Sequence, residues 1–200
     1  MIDIKTLEVA GIRSAIYAMR NPYDSWDKSD SCQATIGEKD KELSEKLSKA
    51  GTEHCKHLRM CIVWADISAP LYWWKEFDTY RTGVEKLSCS TMHTITKKPF
   101  SAEMFTSTVG SATIAALELT REAYIQAKEN GNDEMAHEFW RRIIENLPSG
   151  FIQRRTVMMS YAALRQICKQ RKGHKLAEWE AFRRWAFSLP EAWMIGGDEE

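Results

Sequence analysis

The residues best suited to chemistry follow directly on two adjacent tryptophans, Trp73 and Trp74. They are Lys75, Glu76, Asp78, Tyr80 and Arg81, and then Ser88, Cys89, Ser90, Thr91 and His93. Lysine and arginine suit an anionic ligand, carboxylates and a phenol suit proton transfer, and a thiol attacks as its thiolate. Cys89 is therefore the candidate nucleophile. Its flanking serines offer no base, and the nearest histidine in sequence is His93, so the competing reading is a small residue packing a tight turn. The whole stretch also reads as an ordinary strand–helix junction followed by a solvated loop. Elsewhere, His54, Cys55, His57 and Cys61 lie close together but lack a second ligand pair at finger-like spacing, so no metal is expected. The five cysteines are odd in number and scattered, which fits free thiols in a reducing compartment.

Such residues need rigid elements behind them. An apolar pattern over residues 59–67 predicts a strand that runs toward Pro70 and an aromatic helical turn. Residues 2–9 alternate as a first strand, and 11–19 have a helical face. Residues 21–31 are turn-rich, and 38–50 form a charged helix with Leu43 and Leu47 on its apolar face, stopped by Gly51. After the polar loop, residues 111–130 predict a long helix ended by Gly131. Residues 133–146 predict a second, with Asp133 as N-cap and Met135, Phe139 and Ile143 spaced at i,i+4. A strand over 151–160 and helices over 161–170 and 175–188 complete the chain. The order predicts an α/β (α+β) fold, a small mixed or antiparallel sheet covered by helices. Residues 1–195 are expected to form one domain, with a fraying acidic tail over 196–200.

The chain has 200 residues, and 28 basic side chains balance 28 acidic ones. Zero net charge argues against a nucleic-acid polymer or a membrane surface as partner, though not against a local basic pocket. No apolar run approaches the ~18 residues that span a bilayer, and the acidic start lacks the pattern of a signal peptide. A cytoplasmic location is expected.

Several segments, in order, resemble the flavin-dependent thymidylate synthases. Leu47 to His54 (L-S-K-A-G-T-E-H) looks like the first histidine element of that family. Ala69-Pro70, Lys75-Glu76 and Thr79-Tyr80-Arg81 run without a gap onto its Pro, its Arg-Gln pair and its R-H-R triplet. Leu147-Pro148, a strand, a helix, Arg171, His174 and Glu178 resemble its C-terminal run, with one residue fewer before the histidine. Ala18-Met19-Arg20 looks like its early A-A-R element.

The resemblance implies methylation of deoxyuridylate in a homotetramer, with FAD as hydride carrier, methylene-tetrahydrofolate as carbon donor and NADPH as reductant; no protein nucleophile is needed. It places Arg171, Arg81, Lys75, Glu76, Ser88, Ser90 and Gln166 at the nucleotide. It places His54, Thr79, Tyr80 and Ser160 at the flavin. The chain also departs from the pattern. Thr79 and Tyr80 replace Arg and His, Lys75-Glu76 replaces Arg-Gln, Met60 replaces a histidine, and Ser160 and Gln166 replace two asparagines. Losing two phosphate contacts weakens an anion site by at least ~100-fold unless Lys75, Arg154, Arg155 or Lys172 compensates. Two functions follow: a divergent enzyme acting on a pyrimidine nucleotide, by deoxyuridylate methylation or a related modification, or a non-catalytic protein that binds or sequesters a nucleotide on the same scaffold. The tryptophan-rich segment over 179–193 adds a candidate subunit interface.

Overall fold

A computed structural model describes residues 2–196. All but the first residue of the expected acidic tail lies outside the described residues. The strands β1 (Asp3–Ala10), β2 (Ile62–Pro70), β3 (Val84–Ser88) and β4 (Ile152–Ser160) form one antiparallel sheet in the order β1-β2-β4-β3. The helices are α1 (Ile12–Ala18), α2 (Glu38–Lys49), α3 (Leu71–Phe77), α4 (Thr91–Thr94), α5 (Ser111–Glu129), α6 (Asp133–Asn146), α7 (Tyr161–Gln170) and α8 (Ala177–Phe187). The α/β reading of the sequence holds. No helix among the described residues is long and apolar enough to cross a membrane.

Contacts divide the chain into two units, and β2 and β4 contribute residues to both. The first comprises residues 68–78 and 87–155. Its core joins Ile95, Phe100, Phe105, Leu117, Ile143 and Phe151, with the α5–α6 hairpin as its main body. The first turn of α3 has orphan N–H groups, as every helix start does. Leu71 N–H donates to Phe151 O and Tyr72 N–H to Ser149 O, each at 3.0 Å. Trp73, Trp74 and Phe77 on α3 are fully buried, with ring centroids 4.9 to 5.4 Å apart.

The second unit comprises residues 2–67, 79–86 and 156–196. Alternate residues of β2 (Val63, Ala65, Ile67) and of β4 (Val157, Met159) are buried in it, as a period of two requires. Leu164 and Ile167 of α7 and Trp179, Phe182 and Ala186 of α8 are buried at helical spacing.

Four local expectations are corrected. The polar stretch after Arg81 contains β3 and α4 rather than one loop. β3 has a single buried residue, Val84, so hydrophobic alternation does not announce it. β2 begins at Ile62 because residues 56–59 form a 3-10 turn. The cap of α6 is Asn132, whose side chain accepts from Met135 N–H, and Met135 itself is 47% exposed. On α2 the buried face is polar: Asp40 and Ser44 are buried while Leu43 and Leu47 are only partly so. Asp40 Oδ1 accepts from Arg20 Nε and Nη2 at 2.8 and 2.6 Å, and Oδ2 accepts from Ser29 and Ser31 at 2.6 Å each. A buried carboxylate is tolerated only with partners of this kind, and these also close the loop between α1 and α2.

Candidate functional site

In the second unit the end of α7 presents Arg171. Its N–H donates to Ile167 O as the helix ends, and His174 N–H donates back to Arg171 O at 3.3 Å. Gly173 has φ 67°, the left-handed conformation glycine adopts without strain, which turns the chain into α8. α8 then brings the fully buried Trp179 back to the arginine: the guanidinium carbon lies 4.4 Å from the Trp179 ring centroid. Tyr80 comes from the turn before β3. Arg171 Nε donates to the Tyr80 hydroxyl at 2.8 Å, and the Tyr80 ring meets Trp179 edge-on at 6.1 Å and 74°. His174 stands edge-on to Trp179 at 6.2 Å, and its Nδ1 accepts from Leu176 N–H at 3.1 Å. Lys86 Nζ donates to Tyr80 O at 3.3 Å. A guanidinium held by a ring face and a hydroxyl is a fixed, planar donor suited to phosphate or carbonyl oxygens.

In the first unit a second arginine lies on an aromatic face. The Arg155 guanidinium carbon is 4.3 Å from the Trp74 ring centroid. Its Nε donates to Gln153 Oε1 at 2.9 Å, and Nη1 donates to both Asp78 oxygens at 2.8 and 3.1 Å. Gln153 Nε2 donates to Cys89 O, and Cys89 N–H donates to Arg154 O, each at 2.9 Å. The cysteine backbone is thus fixed while its side chain is exposed. The thiol lies 3.8 Å from Thr94 Oγ1, and no hydrogen bond joins it to His93 among the described residues. Without a base, the thiol has no local device that makes it a nucleophile.

Of the residues singled out in the sequence, Tyr80 and Arg171 meet directly. Arg81 is exposed beside Tyr80 and makes no ion pair with Glu85 among the described residues. Gln166 is exposed on α7. Ser160 is 3% exposed; its hydroxyl accepts from Ala163 N–H as the cap of α7, and its own N–H donates to Gly83 O at 2.9 Å. Thr79 is exposed, and so is His54, which lies 3.7 Å from the Glu53 carboxylate. In the first unit, Lys75 is exposed on α3 with Glu76 half-buried beside it. Ser88 ends β3, and Ser90 O receives the N–H groups of His93 and Thr94 as α4 begins.

Trp179, Lys86 and Gln153 are the contributors that sequence reasoning missed. Trp179 had a signal, an aromatic at the start of a helix just after the Arg-Lys-Gly-His turn, but the same signal fits an interface residue. Another polar centre is purely internal. His57 is 3% exposed, its Nε2 bonds Ser44 Oγ at 2.7 Å, and its buried Nδ1 has no hydrogen-bond partner among the described residues. Burial, with the Arg165 charge adding to it, pushes its pKa down to about 4. Burial pushes the neighbouring Cys61 thiol up to about 12, so it stays protonated.

No model of a known protein family matches the sequence, and no curated protein matches it. The structure is similar to a crystal structure of thymidylate synthase X from Helicobacter pylori with FAD and dUMP. Identity is 17%, the TM-score is 0.72, and 98% of each chain is covered. A second crystal structure, of the flavin-dependent thymidylate synthase from the same organism complexed with FAD and dUMP, gives the same identity and TM-score. It covers 97% of this chain and 98% of that one.

Proposed function

Starting from a chain that has the fold of the flavin-dependent thymidylate synthases, we propose that it acts on a deoxyuridylate-like pyrimidine nucleotide that Arg171 helps to hold. The carrying observation is the fixed guanidinium on Trp179 and Tyr80, at the position the resemblance gives to the nucleotide arginine. A preorganised cation loses less freedom on binding than a mobile one. The nucleotide-bound state of the structural neighbours supports the same ligand class. The reading treats residues 1–195 as one functional domain and carries a homotetrameric assembly in the cytoplasm.

Flavin fits less well. Of the four side chains that the resemblance places at FAD, Ser160 has its hydroxyl spent on the α7 cap and Tyr80 has its hydroxyl on Arg171. His54 and Thr79 remain exposed. The two engaged hydroxyls weigh toward the second reading, a nucleotide-binding protein without methyl transfer, whereas the exposure of His54 and Thr79 excludes no ligand and the FAD of the structural neighbours weighs toward the first; no step of the proposed action is routed through a flavin. In the first reading, methylation or a related pyrimidine modification, FAD, methylene-tetrahydrofolate and NADPH are all required.

Calorimetric titration with dUMP, beside an absorbance spectrum of protein incubated with FAD, tests both. Binding of dUMP supports the proposal. A flavin spectrum with turnover selects the enzyme, and dUMP binding without flavin selects the binding protein. Indifference to dUMP rejects the proposal.

A further inference from the structure

Tyr80 stands where the resemblance expects a flavin-site histidine, yet its hydroxyl serves the arginine. The turn that carries it is pinned at both ends of α7. At the start, Ser160 N–H donates to Gly83 O at 2.9 Å, and at the end Arg171 Nε donates to Tyr80 Oη at 2.8 Å. Ten residues of helix are about 15 Å long, so residues 80–83 and the Tyr80 ring together run beside the whole of α7. Lys86 Nζ holds the Tyr80 carbonyl as well. The guanidinium is restrained on one edge by the hydroxyl and on one face by Trp179, itself fully buried. A long cationic side chain otherwise samples many rotamers, and ordering it costs free energy on ligand binding.

We infer that Tyr80 is a positioning residue of the nucleotide site: its hydroxyl orients the Arg171 guanidinium and does not itself touch flavin. This rests on the nucleotide reading above. A phenol oxygen that accepts from Arg171 Nε adds no charge of its own to the site.

The test uses the full chain, with Tyr80→Phe, Arg171→Lys and the double variant. The phenylalanine ring preserves the contact with Trp179. Without ligand, the Arg171 Nε–H resonance, assigned by its loss in Arg171→Lys, exchanges slowly with water in the wild type and about tenfold faster in Tyr80→Phe. With dUMP, Tyr80→Phe weakens binding about tenfold, the worth of one hydrogen bond to a charged group. The same change has no effect in the Arg171→Lys background, whereas a merely structural tyrosine would weaken binding in both. An exchange rate unmoved by Tyr80→Phe, or an equal loss of affinity in both backgrounds, overturns the positioning role. A loss of FAD uptake with unchanged dUMP affinity restores Tyr80 to the flavin and also overturns it. Failure of the wild type to bind dUMP sinks the nucleotide reading, and the exchange measurement then still decides whether the tyrosine orients the arginine.

Discussion

Two arginines of this chain lie over tryptophan rings at nearly the same distance, and each has a further contact of a different kind. Arg171 is 4.4 Å from Trp179 and donates Nε to a neutral phenol. Arg155 is 4.3 Å from Trp74 and donates Nη1 to both oxygens of Asp78. Stacking on an aromatic face orients a guanidinium in both cases. A carboxylate contact offsets charge as it orients the group, whereas a phenol contact adds no charge of its own. We read Arg155 as the clamp of the pair and Arg171 as the donor, the role proposed for it above.

The largest expected effect separates the two by ligand. The largest fall in affinity comes from Arg171→Ala, about a hundredfold for dUMP, with some loss of stability as well, since Trp179 and Tyr80 lose their cation; a variant that binds as well as the wild type removes the functional half of the contrast. The converse comes from Arg155→Ala. It leaves Gln153 and Asp78 without their cation and exposes the Trp74 face. It is expected to cost about 2 kcal/mol in urea unfolding with dUMP affinity intact. Were that variant to lose nucleotide binding instead, Arg155 would belong to the site and the division between clamp and donor would vanish.

Acid gives a third measurement, through His57. Its folded pKa of about 4 lies below the ordinary 6.5, so the unfolded chain takes up the proton first. Stability is complete above pH 6.5 and falls as pH drops from 6.5 toward 4, a decline that His57→Gln flattens. Asp40 behaves as a carboxylate with a lowered pKa: burial raises it, but its bonds to Ser29, Ser31 and Arg20 outweigh that. Its contribution is present above the usual carboxylate range and is lost only at still lower pH. Melting curves from pH 7.5 to about 2 resolve the two regimes, and a flat profile between 6.5 and 4 contradicts the assignment to His57. The smallest effect belongs to the exposed pair Arg141–Glu145 on α6. Arg141→Gln leaves the midpoint where it was, which marks the floor against which the Arg155 result is read.

The sequence carried the scaffold well where periodicity is strong. Strand β4 and helices α5 and α7 fall within a residue or so of their expected ends, because burial there follows periods of 2 and 3.6. Strand β3 escaped because four of its five residues are not buried. Helix α2 misled because its inward face is built from Asp40 and Ser44, whose reason for burial is a loop contributed by Arg20, Ser29 and Ser31. The site was legible as a set of residue types, and Arg171 and Tyr80 were both picked out. Their meeting was not, since 91 positions separate them and nothing local encodes a hydrogen bond of that span. Nor does the sequence distinguish Trp179 beneath an arginine from Trp179 at a subunit contact. Only tertiary placement does.

Gly83 ties these observations together. It has φ 69°, and a Cβ built on it would stand 2.5 Å from the Ser160 hydroxyl and 3.6 Å from Ala163 Cβ. A larger residue there must either turn the Ser160 hydroxyl away from its cap bond to Ala163 N–H or shift the turn that carries Tyr80. The missing methyl at 83 therefore sets a mechanical tolerance for a guanidinium at the far end of a helix. Drift at this unremarkable glycine would detune the site without altering any residue that meets a ligand.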